Sequence, residues 1–531
     1  MTETALVAIA GGLWLLAACA GLLPARTASV WASAACSGLG GVAGLCAGVA
    51  MMLAPHTVSA TIGGNAVVGT VTLRLNSLAG VFVALLGLVA IGLAAYAPRY
   101  HQPGRGTAAY LAAYNLAVFA SLILLLASTV TVFLVAWESM ALLSYLLVLR
   151  HHRKQGVATG AFWFLALSEA GFVLIVAAFV WLATATGSTD FATMAARSQG
   201  IPSATRGAVY VLALLGFGFK AGLVPLHVWL PEAHPVAPAD GSGFLSGLIV
   251  KLGVYGVLLF AFDLLGTGPA WWGLLTMGLG ALTAVLGILY ALAERELKRF
   301  LAYSTIENIG VIVTAVGASM VFGSYGQRPL SAFLLVAALY HTANHGAYKT
   351  LLFCEVGVIE HATGTRDMDR LGGLVHRLPR TAVITLIGTL GIAALPPLNG
   401  FVSEWLVFQG LFQGFRIPSH LIGILIVVAA AALGLTGGLA INAFVRSYGI
   451  PFLGMPRTRE AAQASERGQP VLGPALLAAA CVALSIGAPL VMTALARTVR
   501  HYVDIDLRPV LLPGNLTIIP AHADFAAFSP T

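Results

Sequence analysis

The chain has 531 residues, 59% hydrophobic and only 9% charged, with a mean hydropathy of +0.90. A soluble protein of this length cannot cover its surface with so few charges, so the composition points to an all-α polytopic membrane protein. The apolar runs are continuous, which argues against a β-barrel. The net charge of +8 sits in short loops with no aromatic-interleaved basic stripe, which argues against nucleic acid as a partner.

Runs of about 20 apolar residues cross the hydrocarbon core. Fourteen are predicted, at 4–23, 31–53, 77–97, 107–127, 130–149, 158–184, 207–232, 241–262, 270–292, 299–322, 331–359, 380–413, 420–448 and 471–495. The first follows MTET, which carries no positive charge, so it reads as a retained helix and not a signal peptide. The β-branched, Gly-rich stretch 55–76 reads as an extramembrane hairpin and FATMAAR, 191–197, as a surface helix. The tail from 496 to 531 reads as polar and loosely packed. No soluble segment is large enough to hold a redox centre or a nucleotide, so no cofactor is expected. The five cysteines, Cys19, Cys36, Cys46, Cys354 and Cys481, all fall in apolar runs without a CxxC pair and read as small core residues.

Basic residues in the loops set orientation. Counted by alternate loops, sixteen Lys and Arg fall on one side and eight on the other. Lys220, Lys251, Lys349 and Arg446 lie inside spans. The bias places both termini outside the cytoplasm of a bacterial-type plasma membrane.

Two spans are interrupted. The seventh, in GFGFKAGLVPLHVWLPEAH, has Pro225 and then Pro231; the twelfth, in ALPPLNGFVSEW, has Pro396, Pro397 and Gly400. A lipid-facing helix does not survive such breaks, because the freed carbonyls need partners. The breaks are five spans apart, which points to two five-helix repeats and, in matched positions, to a transport path. The domain reading is therefore 1–106 (helices one to three and the hairpin), 107–268 (first repeat), 269–448 (second repeat) and 449–531 (last helix and tail).

Ionisable side chains near the bilayer centre are costly and need partners, water or a task. The spans carry Glu138, Glu169, Lys220, Lys251, Glu307, His341, His345, Lys349 and Glu404. His341, His345 and Lys349 recur every four residues and line one helix face, as a proton relay requires. An i,i+4 histidine pair also suits a metal or a hydrogen-bonded core, but neither a nearby cysteine nor HExxH accompanies it. Glu138 and Lys220 read as partners whose separation sets whether the glutamate holds a proton, against the alternative of a static buried ion pair. The charge run in ALAERELKRF reads as a solvated loop with i,i+4 pairs, and HATGTRDMDRLGGL, 361–374, as another solvated connection, with contact to a partner subunit as the alternative.

KAGLVPLHVWLPEAH, LKRFLAYSTIENIG, HTANHGAYKTLLF and LPPLNGFVSEW resemble the proton-conducting antiporter-like subunits of respiratory complex I, Mrp antiporters and membrane-bound hydrogenases. STIENIG, HATGTRDMDRLGGL and LPPLNGFVSEWL most resemble the branch of hydrogenase-4 component B and formate hydrogenlyase subunit 3. The resemblance implies about fourteen transmembrane helices, with two inverted five-helix repeats that each contain a broken helix. It implies proton movement along Glu138, Lys220, Lys251, His345, Lys349 and Glu404, with other membrane subunits and a cytoplasmic redox module as partners. Asn76 departs from it, standing where the family often has Asp. The chain also ends sooner after its last span than that branch does, which bears on the partner set. A sodium/proton antiporter subunit, a membrane partner in inorganic-carbon uptake and a passive membrane anchor are the alternative readings.

Overall fold

The computed structural model describes residues 2–23, 27–65, 69–503 and 505. Helices α1 (Glu3–Leu22) and α2 (Thr27–Leu53) lead into an antiparallel hairpin of β1 (Val58–Asn65) and β2 (Gly69–Leu75). Val58 pairs with Leu75, and a bulge lies between Thr61 and Gly63. The expected hairpin is thus present, though its tip at 66–68, like Arg26 of the loop count, lies outside the described residues. The Asn76 side chain accepts from the Ala79 N–H at 2.8 Å and starts α3 (Ser77–Tyr100).

α4 (Arg105–Leu126), α5 (Val130–Val148) and α6 (Val157–Thr186) follow, then the expected surface helix as α7 (Phe191–Ser198), capped by Asp190. The seventh predicted span is α8 (Ser203–Ala221) and α9 (Trp229–Val236). α10 (Ala239–Phe244) and α11 (Val250–Leu258) form one rod that reaches Leu264 through π turns at Leu245–Ile249 and Leu259–Leu264. α12 (Ala270–Ala293), α13 (Leu297–Ser324) and the 36-residue α14 (Arg328–Thr363) follow. The twelfth span is α15 (Pro379–Ile392) and α16 (Asn399–Leu411). The chain then runs through α17 (His420–Phe452), α18 (Arg459–Gln463), α19 (Leu472–Ile486) and α20 (Ala488–Val503).

Among the described residues ten helices are long and apolar enough to cross a membrane, and α19 with α20, bent by 78°, makes an eleventh span. The chain is a multi-pass membrane protein. Length and apolarity do not reach the expected fourteen, for a physical reason. The seventh and twelfth spans are cut into short pieces, and α14 is made polar by the row it carries.

Burial separates centre from rim. The most apolar stretch of the rod Ala239–Leu264 is entirely buried and that of α13 is 94% buried, against 33% in α1, α6 and α17. The rim helices expose Leu16, Val173, Leu421 and Val428, as lipid contact requires. Lys251, Glu307, His341, His345 and Lys349 lie buried on the central helices, whereas Glu169 sits half-buried on the rim helix α6. α12 and α13 pack closely because small residues face backbone: a Cβ at Gly287 would lie 2.5 Å from the Glu307 nitrogen.

Three expectations are corrected. The segment 496–503 is not loose tail but the end of α20, with Ala496, Thr498, Val499 and Val503 buried; beyond Ile505 the tail lies outside the described residues. Cys354 and Cys481 are core residues, whereas Cys19 and Cys46 are exposed, because α1 and α2 are rim helices with an outward face. The two charged loops are only partly solvated: Arg295, Asp369 and Arg370 are exposed, but the loops also pack on each other. The Leu297 N–H donates to the Arg366 carbonyl at 3.0 Å, and the Met368 N–H to that of Arg295 at 3.0 Å. Arg366 pairs with Glu296 at 2.8 Å, and Lys298 is 2% exposed and pairs with Glu360 at 3.4 Å. Met368, Leu371 and Leu374 are buried, and their burial docks one loop onto the other.

Candidate functional site: two clusters of buried ionisable side chains

The first break is built from Gly222, which ends α8 in the left-handed region at φ 82°. The freed polar groups find partners. The Val224 N–H donates to Thr283 Oγ1 at 3.0 Å, and the Trp229 indole N–H to the Phe219 carbonyl at 2.7 Å. Pro225 follows Val224 through a cis peptide. Lys220 occupies the last turn of α8, where an ammonium is favoured by the helix C-terminus. It is 2% exposed, donates to Ser168 Oγ at 3.1 Å, and lies 4.7 Å from the centre of the Phe164 ring.

No ion pair within 4.0 Å joins Lys220 to Glu138 among the described residues. Lys220 is anchored on α6 instead, within electrostatic range of both Glu138 and Glu169. The two glutamates interact with each other and are half-buried on the α5 and α6 surface. The three residues form a cluster with the lysine inside and the carboxyls towards the edge, and the lysine is held apart from Glu138.

The second cluster is centred on α13 and α14. Lys251, fully buried, donates back to the Ser246 carbonyl in the π turn five residues upstream. The Ser246 hydroxyl meets that of Thr305 at 2.7 Å, which ties the rod to α13. His341, His345 and Lys349 do share one face, and all three are fully buried. The Lys349 ammonium donates to the Leu301 carbonyl at 2.7 Å and to Ser304 Oγ. His341 Nδ1 meets Ser403 Oγ at 2.9 Å, and its Nε2 meets Asn308 Oδ1 at 3.2 Å. Neither ring nitrogen of His345 has a hydrogen-bond partner among the described residues. Glu307 is 1% exposed beside Asn308.

The second break starts α16. A Cβ at Gly400 would lie 1.8 Å from the Gly391 carbonyl oxygen, so only glycine lets α15 and α16 approach this closely. Pro396–Pro397 is a cis peptide. Asn344 donates to the Asn399 carbonyl at 2.9 Å, and Asn399 Nδ2 donates back to Asn344 Oδ1 at 3.1 Å. This latch holds the break against α14. Glu404 lies one turn into α16, half-buried, facing Gly437 of α17 and within electrostatic range of Glu307.

Sequence reading missed several members. Asn308 accepts from Tyr348 at 2.7 Å and meets His341, so a neutral amide organises the second cluster. His234 is fully buried, stacks on Phe353 at 4.7 Å and lies within electrostatic range of Lys298, Lys349 and Lys251. Asp240 pairs with His101 at 2.7 Å and accepts from Tyr110 at 2.9 Å. An acidic residue just after APA, at a helix start, was a usable signal for Asp240. Asn76 Nδ2 lies 3.5 Å from Asp263, so a carboxyl group absent at position 76 is present across the helix pair.

Residues 127–434 match the NADH:quinone oxidoreductase/Mrp antiporter transmembrane family. Hydrogenase-4 component B of Escherichia coli is 38% identical over 91% of this chain and 72% of its own length. Formate hydrogenlyase subunit 3 of the same organism is 33% identical over 85% and 71%. Among solved structures, the Mrp complex of Dietzia contains a chain that aligns with a TM-score of 0.80, at 27% identity over 99% of this chain and 54% of that one. A chain of respiratory complex I from Thermus thermophilus shares the fold, with a TM-score of 0.74 at 22% identity over 94% of this chain and 99% of that one. The matched segment spans both breaks and the charges from Glu138 to Glu404, and the chain belongs to the NADH:quinone oxidoreductase/Mrp antiporter family of membrane subunits.

Proposed function

We propose that this protein is a proton-translocating subunit of a respiratory or hydrogenase-type oxidoreductase complex. Protons move at mid-membrane depth along Glu138, Lys220, Lys251, His341, His345, Lys349 and Glu404, with Glu307 beside the row. The observation that carries this reading is the placement of Lys220 and Glu404 next to two helix breaks, with fully buried lysines and histidines on the central helices between them. Burial without ion pairing is costly for a passive anchor and is what a chain of transient proton sites needs. The hydrogenase-4 and formate hydrogenlyase names of its relatives support partner membrane subunits and a redox module.

In this reading the broken pieces α8–α9 and α15–α16 each count as one span, as does α14, which gives fourteen. The halves 107–268 and 269–448 are inverted repeats, and both termini lie on the non-cytoplasmic side. Lys220 alternates between Ser168 and the Glu138–Glu169 pair. Near the carboxylates it favours their ionised form; back on Ser168 it lets one of them take a proton.

The test is redox-driven acidification of inverted membrane vesicles that contain the whole complex. Glu138→Gln and Lys220→Ala are expected to lower it about tenfold or more, at unchanged electron transfer into the redox module. Full acidification in both variants would overturn the reading in favour of a passive anchor.

A further inference from the structure

α15 carries Thr381, Thr385 and Thr389 four residues apart, so their hydroxyls share one face. All three are buried. At the loop end, the Thr381 N–H donates to Glu466 Oε1 at 2.7 Å, with Arg380 4.0 Å from the same carboxylate. The Thr381 hydroxyl has no partner among the described residues. One turn inward, the Thr385 hydroxyl donates to Glu355 Oε2 at 3.3 Å.

Glu355, on α14, is fully buried, and its Oε1 has no partner among the described residues. Beside it lies a cavity of about 20 Å³, whose polar lining is Glu355, Thr385, Thr389 and Ser447. Such a volume holds one water molecule. Leu301 lines the same cavity, and its carbonyl accepts the Lys349 ammonium at 2.7 Å. Glu355 follows Lys349 by six residues, about 9 Å along the helix, towards the end where the basic loops lie. A group that served packing alone would be apolar here, since a buried carboxyl with a free oxygen is costly.

We propose that Glu355 and the hydroxyl face of α15 form a lateral proton route between the Glu466 loop and Lys349. It rests on the mid-membrane reading above, because Lys349 is its inner terminus. Each step is a proton transfer. An O–H of a ladder hydroxyl or water breaks, its oxygen regaining a proton from the next donor towards the loop and the outermost donor regaining one from bulk solvent, as the Glu355 O–H forms. That bond then breaks as an N–H forms on neutral Lys349 through a water in the cavity, and no electron moves.

Infrared spectroscopy of the complex containing the full chain tests the ladder. Glu355→Gln is expected to remove one protonated-carboxyl band, and that band should shift in D2O. Thr385→Val should slow its exchange about tenfold, whereas Thr276→Val on α12 should not. Absence of a band lost in Glu355→Gln, or unchanged exchange in Thr385→Val, overturns the route. Vesicle acidification separates the two claims. Glu355→Gln should lose most of it, with Glu355→Asp keeping the larger part. Normal acidification in Glu355→Gln with loss in Lys349→Ala overturns the lateral route alone. Normal acidification in both variants overturns the mid-membrane reading as well.

Discussion

Lys220 donates to Ser168 at 3.1 Å and makes no direct ion pair with Glu138. The ammonium rests on α6, inside an aromatic wall of Phe164 and Trp229, while the two carboxyls it acts on sit further out on α5 and α6. The resting position is therefore a neutral hydroxyl with a carboxylate pair in electrostatic reach, a geometry with two places for one charge.

Removing the resting partner should expose that choice. Ser168→Ala strands a buried ammonium, and a hydrogen bond to a charged group contributes about 1.5–3 kcal/mol. If the lysine can move to the carboxyls, the loss is smaller, and Glu138→Gln in the Ser168→Ala background costs about 0.5 kcal/mol or more beyond the sum of the single changes. Thermal unfolding of the four proteins in detergent measures this. Strict additivity would fix Lys220 as a static residue.

Asn308 offers one amide oxygen to Tyr348 and His341 together. Asn308→Ala leaves both buried groups without that partner, at about 1–3 kcal/mol for each group stranded. A lowered unfolding temperature with intact helix content by circular dichroism is expected. Wild-type stability would show that these groups find other partners.

The second break depends on a missing side chain. Gly400→Ala places a methyl group 1.8 Å from the Gly391 oxygen, where backbone must shift. Overpacking of this severity costs at least about 3 kcal/mol, and the variant is expected to elute as aggregate in size-exclusion chromatography. Gly434→Ala, with nothing within 4 Å of the new carbon, should elute as wild type.

The two docked loops share the Lys298–Glu360 pair. Lys298 is 2% exposed and the Glu360 side chain 32%, so Lys298→Ala should cost about 2–3 kcal/mol, below the full value for a wholly buried pair. Local opening of the 364–378 connection follows. Trypsin cleavage after Arg366 and Arg370 should accelerate in Lys298→Ala, while cleavage after the exposed Arg153 and Lys154, between α5 and α6, stays unchanged.

Much of the architecture was legible because membrane solvation writes itself into composition. Apolar runs mark spans, Pro225 and Pro396–Pro397 mark breaks, and His341, His345 and Lys349 fall on one face by helix geometry. The signals that failed were those whose meaning depends on a distant neighbour. ALAERELKRF looks solvated by itself, yet Lys298 is buried by the Ala237 carbonyl and Glu360, more than sixty residues away in both directions. The outward face of Cys19 and Cys46 follows from the rim position of α1 and α2, which no local pattern encodes.

The sequence alone determined the membrane class, the order of the helices, the place of both breaks and which charges fall within the apolar runs. Local periodicity and transfer energies act within one segment and need no partner. Only the tertiary structure decided that Lys220 rests on Ser168, that Asn308 bridges His341 and Tyr348, and that Glu355 faces a hydroxyl ladder. Those choices are set by hydrogen bonds between helices, which depend on packing distances of a few tenths of an ångström that one-dimensional spacing does not carry.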